Sequence, residues 1–189
     1  MKTLREVLDE VPDPRSRHGR RHPLGSILAL AICAMFCGAR SLYAIAQWGK
    51  DQGVPMAKRL GFQRKRTPDV STLQRVFSRL DRERFELVLG EWLQEQGLKR
   101  GEALAIDGKT LRGIHGENLP GVHLLAAYAH QSGIVVGQKD TAGKGHELST
   151  MPLLLEQLPL AGRVVTADAQ FTHRQICEKI VQKGGTTSW

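Results

Sequence analysis

Apolar residues change their spacing at Lys99-Arg100-Gly101, and that change limits the folds open to the chain more than any other property of its sequence. Before it they recur every three to four residues, the period of a helix. After it they come in short runs bounded by turn residues, the pattern of buried strands. With 189 residues, the chain can bury two modest cores. The expected class is therefore α+β, with an all-α domain over residues 1–100 and a mixed α/β domain over residues 101–189. Charge divides at the same place: residues 1–100 hold 19 Lys and Arg against 11 Asp and Glu, whereas residues 101–189 hold 8 of each. The whole excess of +8 lies in the first half, where a polyanion would dock.

In the first half, Leu4 to Val11 reads as a short amphipathic helix closed by Pro12-Asp13-Pro14. The apolar run Leu24 to Ala39 is shorter than the roughly 20 residues of a membrane span, and an acidic stretch precedes it, so it predicts a buried helix and no membrane association. Cys33 and Cys37 fall on one face of that helix as small core residues. Three cysteines without a CxxC pair argue against a disulfide framework or a structural zinc site, and fit a reducing cytoplasm. Ser41 is a plausible N-cap for LYAIAQWGKDQG, with a stop near Gly49 or Gly53. A helix from Arg84 to Gly97 would offer Leu87, Leu89 and Trp92 to the core.

Three basic segments are candidates for DNA contact. Arg15, Arg17, Arg20 and Arg21 lie in a loop with His18 and His22, and Arg64, Lys65 and Arg66 form a second loop. In TPDVSTLQRVFSRLD, Val70, Leu73, Val76, Phe77 and Leu80 form one apolar stripe, which leaves Gln74, Arg75 and Arg79 facing outward. That is the composition of a helix-turn-helix reader, since Arg reaches guanine edges and phosphates and Gln reaches adenine. A solvated basic helix has the same pattern, and both readings stay open.

In the second half, EALAIDGKTLRG reads as a strand and HLLAAYAHQSGIVVGQKDT as two strands joined at Gln131-Ser132-Gly133. A helix over Glu147 to Leu158, the strand GRVVTAD and a helix capped by Thr172 complete the order β, β, β, α, β, α. The closing TTSW is too short for a further strand and helix. Asp107 and Asp168 each end an apolar strand, and carboxylates at strand ends on one side of a sheet can share divalent cations. Taken singly, Asp107-Gly108 is also an ordinary turn pair and Asp168 an ordinary loop residue. Lys109 and Arg112 could contact a neighbouring phosphate. Glu147 suits the first turn of a helix, and His173 has the position of an early-helix residue.

The segments DPRSRHGRRHPLGSILALAICAMFCGARSLYAIAQWG, TPDVSTLQRVFSRLD, AIDGKTLRG and VVTADAQFTHRQICEKIVQKGG resemble, in that order, the H-repeat-associated branch of DDE-type insertion-sequence transposases of bacteria. The resemblance covers nearly the whole chain. It implies a helical transposase-associated domain followed by a ribonuclease H-like core, with Asp107 as the first catalytic and metal-binding carboxylate and Asp168 as the second. It further implies Mg²⁺ as cofactor, transposon-end DNA as partner and a cytoplasmic, nucleoid-associated protein that forms homo-oligomers or pairs with full-length transposase. The third acid of the family, a glutamate on a later helix, has no counterpart before Trp189. The expectation is thus an incomplete ribonuclease H-like domain and a C-terminally truncated transposase fragment that binds DNA but does not cleave it. A non-catalytic regulator of transposition is the alternative.

Overall fold

The computed structural model describes residues 2–18, 20–111, 121–143 and 145–188. The chain forms two compact units, Met1–Trp92 and Leu93–Trp189.

The first unit is helical: α1 (Leu4–Leu8), α2 (Leu24–Phe36), α3 (Leu42–Asp51), α4 (Gly53–Arg59), α5 (Val70–Phe77) and α6 (Arg82–Gly97), which crosses into the second unit. Thr3 and Glu6 close a capping box at the start of α1. The helix ends at Leu8, short of the expected Val11, and Val11 is nonetheless buried. As the apolar run predicts, α2 is the central helix, with Ile27, Leu28 and Leu30 at most 1% exposed. Its last turn surfaces: Met35 and Phe36 are exposed, and so is Cys37, which caps the helix and is not a core residue. No helix among the described residues is long and apolar enough to cross a membrane.

Ser41 caps α3 by accepting a hydrogen bond from the Ala44 amide, as its sequence position predicts. Gly49 is not the stop signal it resembles. The helix runs through it, and the close packing favours glycine there, since a Cβ would stand 2.9 Å from Thr67 Oγ1 and 3.0 Å from Leu30 Cδ1. Gly49→Ala would gain about 1 kcal/mol of helix propensity but overpack a site where such strain costs about 1–3 kcal/mol. A net loss of stability, read as a lower urea midpoint with an unchanged m-value, is the expected result. The short α4, which sequence spacing does not reveal, follows at once. In α6 the buried residue is Val88, with Phe85 and Trp92 packed on the same core; the expected Leu87 and Leu89 are only half-buried.

The second unit is a five-stranded sheet of order β3-β2-β1-β4-β5, with β1 (Leu104–Thr110), β2 (His123–Ala129), β3 (Ile134–Thr141), β4 (Val164–Ala167) and β5 (Thr186–Ser188). β1 pairs antiparallel with β2, and β2 with β3; β4 runs parallel to both β1 and β5. This is the ribonuclease H-like arrangement that the resemblance implies. Helices α7 (Glu147–Gln157) and α8 (Arg174–Gln182) bury Met151, Leu154, Leu155, Ile176 and Ile180 together with Leu104, Ile106, Leu125 and Val165 of the sheet. Pro152 sits in the second turn of α7, beyond the expected first turn. It offers no N–H to the Leu148 carbonyl, and Leu148 is an exposed residue.

Two further expectations are corrected. The closing residues do form a strand. Gly184, at φ +75, turns the chain back, and Thr186 donates its amide to the Arg163 carbonyl at 2.9 Å. Three residues suffice because the ladder uses backbone groups, with the Thr186 hydroxyl adding a 3.4 Å hydrogen bond to the same Arg163 carbonyl. Thr172 does not cap α8; that position belongs to His173, after a 3-10 turn at Ala169–Phe171.

Glu102 and Arg163 are buried polar residues that spacing does not single out. The Glu102 carboxylate, 1% exposed, accepts from the Lys99, Gln131 and Ser132 amides and from Ser132 Oγ. It thereby pins the β2–β3 turn to the start of β1. Arg163 donates to the Pro159, Lys99 and Glu102 carbonyls. Burial pushes the Glu102 pKa up, but the hydrogen bonds from Ser132, Lys99 and Gln131 outweigh it and hold the group at about 2. The folded value lies below the unfolded one, so this stabilisation is complete above the ordinary carboxylate range and fades as pH falls toward 2. Glu102→Gln should flatten that acid limb of the stability curve and speed amide exchange at Gln131 and Ser132.

Candidate active site and nucleic-acid interface

Two groups of side chains are candidates for a site, one in each unit. In the second, β1 and β4 pair in parallel as Leu104 with Val165, Ala105 with Thr166 and Ile106 with Ala167. Asp107 and Asp168 are each the next residue. Alternation along a strand sends Leu104, Ile106, Val165 and Ala167 toward the helices, so the same register carried one residue further turns both aspartates to the opposite face. Asp168 keeps the extended backbone this requires, at φ −63 and ψ 152, before its carbonyl accepts the Phe171 amide at 2.9 Å. Both aspartates are exposed, and the β2 neighbour of Asp107 is Ala126, whose small side chain crowds nothing. Lys109, also exposed, shares the Asp107 face two residues on. Arg112 lies outside the described residues.

Glu147 comes close from the other face. Its Cγ would stand 3.3 Å from a Cβ at position 108, and its Oε2 accepts the Gly145 amide at 2.7 Å, which makes it a first-turn residue of α7. His173 and Glu178 are exposed, and Glu178 pairs with Arg174 at 2.7 Å. No group of three or more potential metal ligands occurs among the described residues. Two exposed carboxylates still match the donor set of Mg²⁺, which takes oxygen ligands, often one or two carboxylates with water completing the shell.

In the first unit, the loop preceding α2, the segment before α5 and α5 itself surround a cavity of about 460 Å³. Arg15, Arg20, Arg21, Arg66, Arg75 and Arg79 line it, joined by His18 and His22. Residues far apart in sequence thus meet around one space. Arg15 and Arg20 hold the loop itself. Arg15 bridges both carboxylate oxygens of Asp13 at 2.8 Å and donates to the His22 carbonyl at 2.8 Å, while Arg20 donates to the Arg15, Ser16 and Asp13 carbonyls. Arg75 bonds to Ser71 of its own helix, and the side chains of Arg21, Arg66 and Arg79 make no hydrogen bond or ion pair among the described residues. Arg17, Arg64, Lys65 and Gln74 are exposed but do not line the cavity. Ser16, His22, Thr67, Asp69, Thr72 and Val76 complete the wall, and the burial of His22 departs from the exposed basic loop that its neighbours suggest.

Residues 5–93 match the family described as DDE_Tnp_1-associated, and residues 99–188 match the transposase DDE domain. YncI of Escherichia coli K12, named a candidate transposase, is 33% identical over 97% of this chain and 75% of its own length. The chain belongs to the DDE transposase family. YncI of Escherichia coli O157:H7 is also 33% identical, with 47% of its length covered, and the H repeat-associated YhhI of Escherichia coli K12 is 30% identical, with 50% covered. This DDE chain therefore spans about half the length of those two relatives. Among solved structures, it is similar to the piggyBac transposase in a synaptic complex with hairpin DNA, at 13% identity and a TM-score of 0.40 over 98% of this chain and 45% of that one.

Proposed function

We propose that this DDE-family chain binds double-stranded DNA at insertion-sequence ends through the basic cavity side of its N-terminal unit, and that Asp107 and Asp168 are the carboxylates of its strand-transfer site. The β1–β4 register carries the catalytic half of this reading, because it brings two acids 61 positions apart in the sequence to one level and one face of the sheet. A divalent cation bound there would activate water and stabilise the leaving oxygen of a phosphodiester. The chain's own share is positional. Two strands fix the acids, Ala126 leaves room beside them, and Lys109 offers a cation on the same face for a flanking phosphate. Mg²⁺ is the cation we assign to this site. Residues 1–100 form the DNA-binding domain and residues 101–189 the catalytic one, acting on chromosomal DNA in the cytoplasm.

Two carboxylates alone hold a divalent cation weakly, so residues 1–189 tested by themselves are expected to bind DNA, as a homo-oligomer or beside full-length transposase, without cutting it. Incubation of supercoiled plasmid bearing the terminal repeats with Mn²⁺ should leave it intact. Nicking that Asp107→Ala abolishes would contradict the inactivity and support the assignment of that residue; salt-dependent retardation of the same DNA tests the binding.

A further inference from the structure

The cavity of the first unit has properties that general adhesion to DNA does not require. Six arginines line it with one acidic residue, Asp69, whose Oδ1 already lies 3.1 Å from Lys50 Nζ; two of the six, Arg15 and Arg20, are paired with Asp13, which does not line the cavity. The wall is preformed, because Arg15 and Asp13 lock the loop and Arg15 holds the backbone of His22. His22 itself is 7% exposed, stacked edge-on against Phe62, and its Nδ1 is buried without a hydrogen-bond partner. Such an atom normally finds a partner. An imidazole turned about its Cβ–Cγ bond can present either ring nitrogen to a ligand in the cavity.

We propose that this cavity is a phosphate site, in which one phosphate group of a DNA strand is gripped by the guanidinium groups of Arg21, Arg66, Arg75 and Arg79 and accepts a hydrogen bond from the His22 ring. The inference rests on the DNA-binding reading and adds to it a defined ligand group and a defined place. Guanidinium forks match phosphate oxygens in charge and geometry. The site also has a proton linkage. Burial, with Arg66, Arg64 and Arg15 nearby, holds His22 below the ordinary imidazole range, against the opposing pull of Asp69; His18, Arg20, Arg21, Arg75 and Arg79 also line the cavity. An anion among these cations offsets the local field and raises the His22 pKa, so binding takes up a proton and tightens as pH falls through the imidazole range.

The test uses the full chain and follows the His22 imidazole resonances by NMR during titration with sodium phosphate at constant ionic strength. Chloride serves as the reference, and sulfate, which does not titrate in this range, serves for the pH series. The expected result is a saturable shift at His22, about tenfold weaker binding in both Arg66→Gln and Arg79→Gln, and loss of the pH dependence in His22→Asn. Resonances that respond to phosphate and chloride alike overturn the proposal. Because Arg66 and Arg79 are exposed, unchanged phosphate affinity in those two variants overturns it even if the His22 variant fails to fold. Duplexes with 5′-phosphate and 5′-hydroxyl ends separate the sources. About tenfold preference for the phosphorylated end assigns a terminal monoester, and equal affinity with competition by inorganic phosphate assigns a backbone diester. Salt-dependent duplex binding without a phosphate response defeats this inference alone, whereas phosphate binding without duplex binding defeats the DNA reading alone.

Discussion

Replacing Arg66, Arg75 and Arg79 together by alanine is expected to weaken binding to duplex DNA by about tenfold at 0.1 M salt, relative to 1 M salt as the reference. The figure follows from counterion release: each phosphate contact contributes about 0.9 to the slope of log affinity against log salt, so losing the one phosphate that these guanidinium groups share removes about 0.9 from that slope. The three side chains are exposed and line one cavity, and none forms an ion pair with another described residue, so their loss should leave the fold unchanged. Arg15 and Arg20 make the informative contrast. Their guanidinium groups are bonded within the loop, and their replacement should lower thermal stability as well as affinity. Fluorescence anisotropy at several salt concentrations, with a thermal melt of each variant, separates the two behaviours. A triple variant whose salt slope equals that of the parent would sink the assignment of this cavity to DNA.

The second large effect is expected from Phe171→Ala. Phe171 is 1% exposed, closes the 3-10 turn that follows Asp168, and packs into the core formed by the sheet with α7 and α8. Truncating a buried phenylalanine costs about 3–5 kcal/mol, a large share of the roughly 5–15 kcal/mol that holds a domain folded. The damage should stay within the second unit, because Phe171 belongs to its core and not to the helical one. Calorimetry should show one transition moved to lower temperature and the other unmoved. Since the Phe171 amide also bonds to the Asp168 carbonyl, the backbone at Asp168 should loosen with it, seen as faster amide exchange through residues 168–171. A single transition shifted as a whole would contradict independent cores.

Much of this organisation is legible in the sequence because it depends on local chemistry. The unbroken apolar run makes α2 the central helix, Gln131-Ser132-Gly133 turns β2 into β3, and Ser41 caps α3. Four ordered motifs are enough to reveal the family. Errors arise where a local signal has two meanings. Gly49 reads as a helix stop but serves a close approach to Thr67 and Leu30, which only packing shows. The three residues of β5 are too few for a periodicity to register, and they become a strand because β4 presents an unpaired edge. Buried Glu102 and Arg163 give no sequence signal, since their partners are mostly backbone groups.

The sequence by itself determined where the charge lies, where helices give way to strands, and which two aspartates follow apolar strand runs, although Asp107 lies inside β1 and only Asp168 stands at a strand end. Those properties follow from residue type and short-range spacing. Only the tertiary structure decided that the two aspartates share a face, since strand register is fixed by pairing across the sheet. It alone showed that arginines from a loop near residue 20, a segment near residue 66 and α5 surround one space. That convergence comes from packing of elements distant in the chain, and it divides the basic residues into those that build the cavity and those left to meet a ligand.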